Sequence, residues 1–425
     1  MVELLAPVGN FEGLSAALKA GAHSIYFGIK GLNMRSASAK NFDIEDVPNV
    51  VALCHAQQVK CYLTLNTVVY NHEFPRLFQI LDAIKQAGVD AIIATDFGVI
   101  QAARERDIEV HISTQSSIAN VESAKFFAQF SPRLVLAREC TLAQIKHMKD
   151  TLRAQGYTTE LEVFVHGALC VAESGRCFMS QFHNRLSANR GQCLQECRRS
   201  YKIIDVEEPR REFILDNQYV MSPKDLCTLP ILDKLVEAGI DVFKIEGRAK
   251  GPEYIYTVTK VYKEALDAIE NKTFTQQKVM AWLEELSSVY NRGFTDNFML
   301  GTPTNDSWAG IYGSKATHTK LQVGVITNYY KQKKVAEAVL THRSLSVGDH
   351  IIITGPTTGY VKQKIVSLKT DEGDVESAQK TTVTFACDEL VRAQDMLYVW
   401  VEPDRQKEAI EQTYGVHTPF KTSKV

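Results

Sequence analysis

Four cysteines, Cys170, Cys177, Cys193 and Cys197, fall in one short stretch, separated by six, fifteen and three residues. A thiol that is merely packed behaves as a small hydrophobe, whereas several gathered together are the ligand set of a soft metal. The spacing orders the candidates. A structural zinc site brings two tight pairs, each enclosing about two to four residues. Wide, uneven intervals suit a cluster several ångströms across, whose irons take thiolates from separate pieces of loop. The reading is a [4Fe-4S] cluster, with zinc, or unligated or disulfide-forming cysteines, as alternatives. Cys227 is a reserve ligand, but its Leu-Cys-Thr-Leu-Pro-Ile-Leu surroundings read as a buried helix. Cys54, Cys61, Cys140 and Cys387 lie in apolar runs and read as core.

The same stretch is basic although the chain as a whole, at a net charge of -2, is not. Arg176, Arg185, Arg190, Arg198, Arg199 and Lys202 stand against the single acid Glu196, interleaved with Phe178, Phe182 and Tyr201. Cations for phosphates and rings for unstacked bases make an RNA-facing surface. Arginines that balance an anionic cluster are the plainer alternative.

These residues must be held by a scaffold. Apolar runs at Glu3–Ala6, Ser24–Gly28, Lys60–Asn66, Ala91–Thr95, Val110–Ser113, Leu134–Arg138, Leu161–His166 and Asp241–Ile245 alternate with amphipathic stretches, two of which end in Ala-Gly. Eight strand-helix units predict an α/β fold, a (β/α)8 TIM-like barrel over residues 1–300, with a doubly wound sheet as runner-up. The cysteine-rich segment 168–223 is an insertion after the seventh strand, with a hairpin pairing Tyr201–Ile204 and Glu212–Leu215. Residues 301–319 read as a linker, and 320–403 as a small C-terminal β-barrel of six strands before a tail, 404–425. The Lys331-Gln-Lys-Lys334 turn of that second domain offers either an RNA backbone contact or a solvated hairpin tip.

Strand alternation then sorts side chains. Val163 and Val165 oppose Glu162, Phe164 and His166, Phe243 and Ile245 oppose Lys244, Glu246 and Arg248, and Ile112 opposes His111 and Ser113. The apolar sets cover the helices, so the polar sets face the barrel axis. Burying so many polar groups is costly unless they pair or bind something. Arg138, Lys244, Arg248 and His111 are therefore candidate ligand-binding residues, the arginines by bidentate grip on a dicarboxylate. His166 and Glu246 are candidates for proton transfer, with Asn66 and Gln115 as hydrogen-bonding positioners. Internal ion pairs, Lys244 with Glu246 or Glu162 with Arg248, are the structural alternative.

The run Glu162-x-Phe164-x-x-Gly167-Ala168-Leu169-Cys170, followed by Gly175-x-Cys177-x-Met179-Ser180, resembles the signature of peptidase family U-32, the collagenase-like proteins. Further blocks agree in order: Glu3-Leu-Leu-Ala-Pro-Val-Gly9, Leu65-Asn66-Thr67, His111-Ile-Ser-Thr-Gln115, Ala137-Arg138-Glu139, Lys244-Ile-Glu-Gly-Arg248 and Asn291-Arg-Gly-Phe-Thr295. Length and the Cys193-x-x-x-Cys197 pair are most similar to the tRNA-hydroxylating branch. That resemblance implies tRNA as partner, 5-hydroxyuridine at the wobble position as product and prephenate as co-substrate, and a translation-factor-like C-terminal domain.

Two other functions compete. A peptidase is disfavoured by the lack of a His-Glu-x-x-His or Gly-x-Ser-x-Gly motif. A zinc-stabilised RNA-binding protein needs only the metal and the basic surface. The acidic start Met1-Val-Glu and the absence of a long apolar run predict a cytoplasmic protein with no membrane contact, in keeping with nine cysteines. The oligomeric state is not written in these patterns.

Overall fold

A computed structural model describes residues 2–199, 201, 203–210, 212–213 and 221–403. The chain divides into two compact units, Met1–Lys315 and Ala316–Val425.

The first unit is a closed parallel barrel. Its strands are β1 (Glu3–Pro7), β2 (Ser24–Phe27), β3 (Lys60–Leu65), β4 (Ala91–Ala94), β5 (Val110–Ile112), β6 (Arg133–Val135), β7 (Glu160–Gly167) and a closing strand, Val242–Ile245. The closing strand pairs with β7 on one side, Val242 opposite Glu162, and with β1 on the other, Val242 opposite Glu3. The helices α1 (Phe11–Lys19), α2 (Val47–His55), α3 (Phe74–Ala87), α4 (Phe97–Arg104), α5 (Val121–Ala128) and α6 (Leu142–Ala154) follow the first six strands. Local chemistry fixes their ends. Asn10, Asp96, Asn120 and Thr141 cap N-termini through their side chains, and Gly88 ends α3 in the left-handed conformation.

The insertion after β7 carries α7 (Met179–Asn184) and a hairpin of Ile203–Ile204 with Glu212–Phe213. Positions 202, 214 and 215 of the expected hairpin lie outside the described residues. The chain returns through a short strand, Asp225–Cys227, antiparallel to β7, and then α8 (Leu232–Glu237). Cys227 is thus buried as expected, but in a strand. Helices α9 (Pro252–Glu270) and α10 (Gln276–Ser287) complete the unit.

The second unit is an eight-stranded antiparallel sheet with a separate two-stranded one, Leu345–Ser346 paired with Ser377–Ala378, around a core that includes Val323, Ile351, Val361, Phe385 and Leu397. Its main strands are Thr319–Tyr330, Val335–Leu340, His350–Gly355, Gly359–Lys364, Thr382–Ala386 and Met396–Val401. Lys331, Lys333 and Lys334 are exposed at the first turn, where Lys334 pairs with Asp388 at 3.5 Å. Residues 404–425 lie outside the described residues.

Inside the barrel, the end from which the strands start is filled by a compensated charge network. Arg133 holds Glu3 with both guanidinium Nη atoms, at 2.8 and 2.7 Å, and Glu160 through Nε at 2.8 Å. Lys244 pairs with Glu162 at 2.7 Å, and the Tyr62 hydroxyl donates to Glu3. Lys244 therefore does form an internal ion pair, with Glu162 and not Glu246. Burial alone would raise the Glu3 carboxyl; the Arg133 hydrogen bonds and charge, with the Ser24 and Tyr62 hydroxyls, bring it from 4.5 down to about 2.

A depressed carboxylate stabilises the fold above its unfolded pKa and loses that contribution as the pH falls towards its folded one. Urea unfolding should therefore show stability draining away between pH 4.5 and about 2. Glu3→Gln should cost about 3 kcal/mol at neutral pH and flatten that acid limb. An unchanged limb in the variant would remove Glu3 from the network's energetics.

Candidate active site and metal centre

Two adjoining chambers lie at the ends of the barrel strands. The inner one, about 60 Å³, is lined by Tyr26, Arg35, Thr64, Asn66, Ser113, Gln115, Arg138, Phe164, Lys244, Glu246 and Arg248. The outer one, about 170 Å³, lies under the insertion and is lined by Cys170, Cys177, Cys193 and Cys197 together with Arg35, Gln115, Arg138, Glu246 and Lys250. Arg35, Gln115, Arg138 and Glu246 belong to both.

All four cysteines are free thiols, two exposed and two half-buried. Burial pushes the Cys197 thiol up, Arg198 opposes it, and the three other thiols add to the rise. Among the described residues, the one trio of ligand atoms within 4.8 Å of one another is His55, Cys61 and Asp90, so no three of these four sulfurs are that close. A single zinc ion with bonds of about 2.3 Å would draw its sulfurs to roughly 3.8 Å. The four thiols lining one chamber are an all-sulfur ligand set that suits an iron-sulfur cluster, and suits zinc as well. Cys227 lines neither chamber.

The polar residues divide by height and by face. Glu246 pairs with Arg35 at 2.9 Å; burial alone would raise its carboxyl, but Arg35, Arg138 and Lys250 hold it below the usual range. It is thus a carboxylate at neutral pH. Arg248 donates only to neutral groups, Thr64 Oγ1 at 2.7 Å and Asn33 Oδ1 at 3.1 Å, and burial lowers it to about 10. Arg138 lies 4.1 Å over the Phe164 ring and donates to the Ala168 carbonyl, while its buried Nε has no partner; burial lowers it too. Among the described residues neither Arg138 nor Arg248 has a carboxylate partner. With Arg35 matched by Glu246 and Lys244 by Glu162, the inner chamber carries two uncompensated guanidiniums. Asn66 and Gln115 meet at 3.5 Å on its wall.

Two expected residues lie elsewhere. His166 lines neither chamber: the pairing of β7 with the closing strand shifts after Lys244, setting His166 opposite Ile245 and turning it towards the helices. There it packs on Tyr254, Tyr262 and Phe294, and burial lowers its pKa to about 3, so it is no proton-transfer group for this cavity. His111 does face the barrel interior, but at the opposite end, against Tyr62 and Glu109. It cannot touch a ligand in either chamber.

The basic stretch is likewise corrected. Arg198 is buried and donates to the Leu169 carbonyl, Ser222 Oγ and the Pro223 carbonyl, tying together both ends of the insertion. Arg190 grips Glu73 and the Val68 carbonyl. Both fasten the insertion to the protein. Arg185 and Arg199 are exposed, Arg199 pairing with Glu196 at 3.3 Å. Gly191 shows how closely the insertion seats: at φ +81, its absent Cβ would stand 2.2 Å from the Asn33 carbonyl in the loop after β2.

That loop supplies the residue sequence reasoning missed. Arg35 spans both chambers, and its only signal was position, in a connection after a barrel strand. Lys250 is the other: it lies 3.0 Å over the Tyr290 ring, and burial lowers it to about 8.

The chain matches the family model described as "Peptidase family U32" over residues 9–309. It is 43% identical over 403 residues to a Porphyromonas gingivalis protein named "Collagenase", covering 93% of this chain and 97% of that one. It is 40% identical over 406 residues to "Uncharacterized protease MJ0090" of Methanocaldococcus jannaschii, covering 95% and 99%. "tRNA hydroxylation protein P1" of Bacillus subtilis is 33% identical over 408 residues, covering 93% and 94%.

Removing the Arg198 guanidinium strands the buried acceptors it satisfies, so Arg198→Ala should cost on the order of 2–4 kcal/mol and open the insertion to limited proteolysis. Arg199→Ala, one residue away, should do neither. Equal protease resistance of the two variants would show that Arg198 is not the clamp.

Proposed function

We propose, from the premise that this chain belongs to peptidase family U32, that it is an RNA-modifying hydroxylase. On this reading it carries a [4Fe-4S] cluster on Cys170, Cys177, Cys193 and Cys197 and converts the wobble uridine of tRNA to 5-hydroxyuridine with prephenate as co-substrate. The observation that carries it is the wall the two chambers share: four thiols line one, and two guanidiniums lacking carboxylates line the other. The name of the B. subtilis relative supports RNA hydroxylation as the reaction class.

The roles follow from charge and position. A small dianion answers Arg138 and Arg248, with Arg35 added if the ligand competes for it with Glu246. Asn66 and Gln115 orient it by hydrogen bonds, and its body extends towards the thiols. The cluster, when bound, supplies electron-transfer chemistry beside the outer chamber. Glu246, ionised and shared by both chambers, is the proton acceptor in place of His166.

The names of the nearer relatives raise a peptidase as the second reading. No histidine lines either chamber. Two thiols stand near a base, Cys61 beside His55 and Asp90 and Cys227 beside Tyr262 and His166; both are buried and both are raised, Cys61 by the Cys54 thiol and burial, Cys227 by burial to about 11. Neither is a nucleophile poised for a peptide.

Anaerobically purified protein should hold about four irons per chain. Ser at any of the four cysteines should lose them, and Cys227→Ser should not. Prephenate should raise the melting temperature of the wild type and leave Arg248→Met unmoved at equal iron content. Nucleoside analysis of tRNA from cells lacking the gene should show 5-hydroxyuridine gone, restored by the wild type and not by Cys170→Ser. Unchanged tRNA nucleosides would sink the assignment of substrate, and stoichiometric zinc that of the cluster.

A further inference from the structure

The lip of the outer chamber exposes aromatic surface that the fold does not use. Met179 and Ser180 of α7 line the chamber, while Phe178, at the N-cap of α7, and Phe182, four residues on, are exposed to 57% and 83%. Their rings stand 6.0 Å apart and tilted at 51°. Scattered exposed apolar residues are ordinary, but two adjacent phenylalanines at a cavity rim are a binding feature. Tyr201, held by its hydroxyl on the Glu196 carbonyl at 2.7 Å, is exposed in the same insertion. The cations around them are those not consumed as staples: Arg185, at the C-terminal end of α7 and without an ion-pair partner among the described residues, and Arg199.

We infer that this lip is a stacking platform for RNA with an unpaired loop: a base neighbouring the target lies on Phe182 and Phe178, the phosphates meet Arg185 and Arg199, and the target base is extruded into the outer chamber. Two independent features point this way. Charge complementarity with exposed rings is the recognition chemistry of single-stranded nucleic acid, since every base has a π-face. The chamber is also small and roofed by the insertion, so a base still paired in a duplex could not enter it. The inference rests on the RNA reading given above and adds the residues that receive the unpaired loop.

Fluorescence anisotropy with the full-length protein tests it, using a labelled RNA stem-loop and a fully paired duplex of the same stem. The wild type should prefer the stem-loop by on the order of tenfold, and Phe182→Ala and Phe182→Leu should each weaken stem-loop binding by a similar factor. Phe182→Trp should retain it, because stacking needs a ring and not merely apolar area. Iron content measured on the same preparations must stay constant across the series. Binding of Phe182→Leu, or of the Phe178→Ala/Phe182→Ala double variant, at wild-type strength would overturn the platform. If those variants also restore 5-hydroxyuridine in cells, the hydroxylase assignment stands without it. A self-association that is lost in Phe182→Ala would instead make the lip a protein interface and equally overturn the inference. A wild type that binds neither RNA removes both readings together.

Discussion

The organising constraint in this molecule is the placement of charge inside a closed barrel. A parallel barrel buries both faces of every strand, and charged groups on the axis must be matched or must await a ligand. At the end where the strands begin they are matched: Arg133 with Glu3 and Glu160, Lys244 with Glu162. At the end where the strands finish, Arg35, Arg138 and Arg248 face Glu246 alone among the carboxylates lining the inner chamber. One end thus holds the barrel together. The other keeps an unspent positive field, and conserving that field requires a roof that excludes water, since low dielectric is what makes a buried cation attractive to an anion.

The insertion is that roof, and three of its arginines fasten it. Arg198 ties its ends to each other, Arg190 hooks onto Glu73, and Arg176 reaches the Gln115 carbonyl in the loop after β5. Arg190 and Arg176 thereby satisfy acceptors in the loops after β3 and β5, and Arg198 acceptors at the two ends of the insertion itself. These bonds bring the thiols onto the same chamber as Arg138 and Glu246.

The barrel was legible because parallel strands leave a strong trace: eight apolar runs in alternation with capped helices. Alternation also put Lys244, Glu246 and Arg248 on the axis correctly. It failed for His166 because a single irregularity in the pairing of β7 inverts every later side chain on that strand, and nothing in Val-Phe-Val-His-Gly announces it. It failed differently for His111, whose face was right but whose height was not. Periodicity tells which way a residue points, and position within the strand decides which end of the barrel it reaches. Arg190 and Arg198 were misread because a run of arginines has the same appearance whether its partners are phosphates or the protein's own carbonyls. Those carbonyls, at Val68, Leu169 and Pro223, are distant in sequence and carry no side-chain signal.

The same reasoning explains why the site is built from so many elements. The outer chamber draws on separate elements: Arg35 comes from the connection after β2, Gln115 from that after β5, Arg138 from that after β6, the thiols from the insertion after β7, and Glu246 from the end of the closing strand. Such a wall exists only when the barrel is closed and the insertion seated, because each contributor is positioned by a different strand register. Charge compensation then couples the parts. The Arg35–Glu246 pair joins the second connection to the last strand, and both residues border the space between the thiols and the two unmatched guanidiniums. On the reading proposed above, a dianion entering there would compete with Glu246 for Arg35, and a carboxylate released from its guanidinium is a stronger proton acceptor. Ligand binding in the inner chamber and basicity at the wall of the outer one would then be linked through a single ion pair.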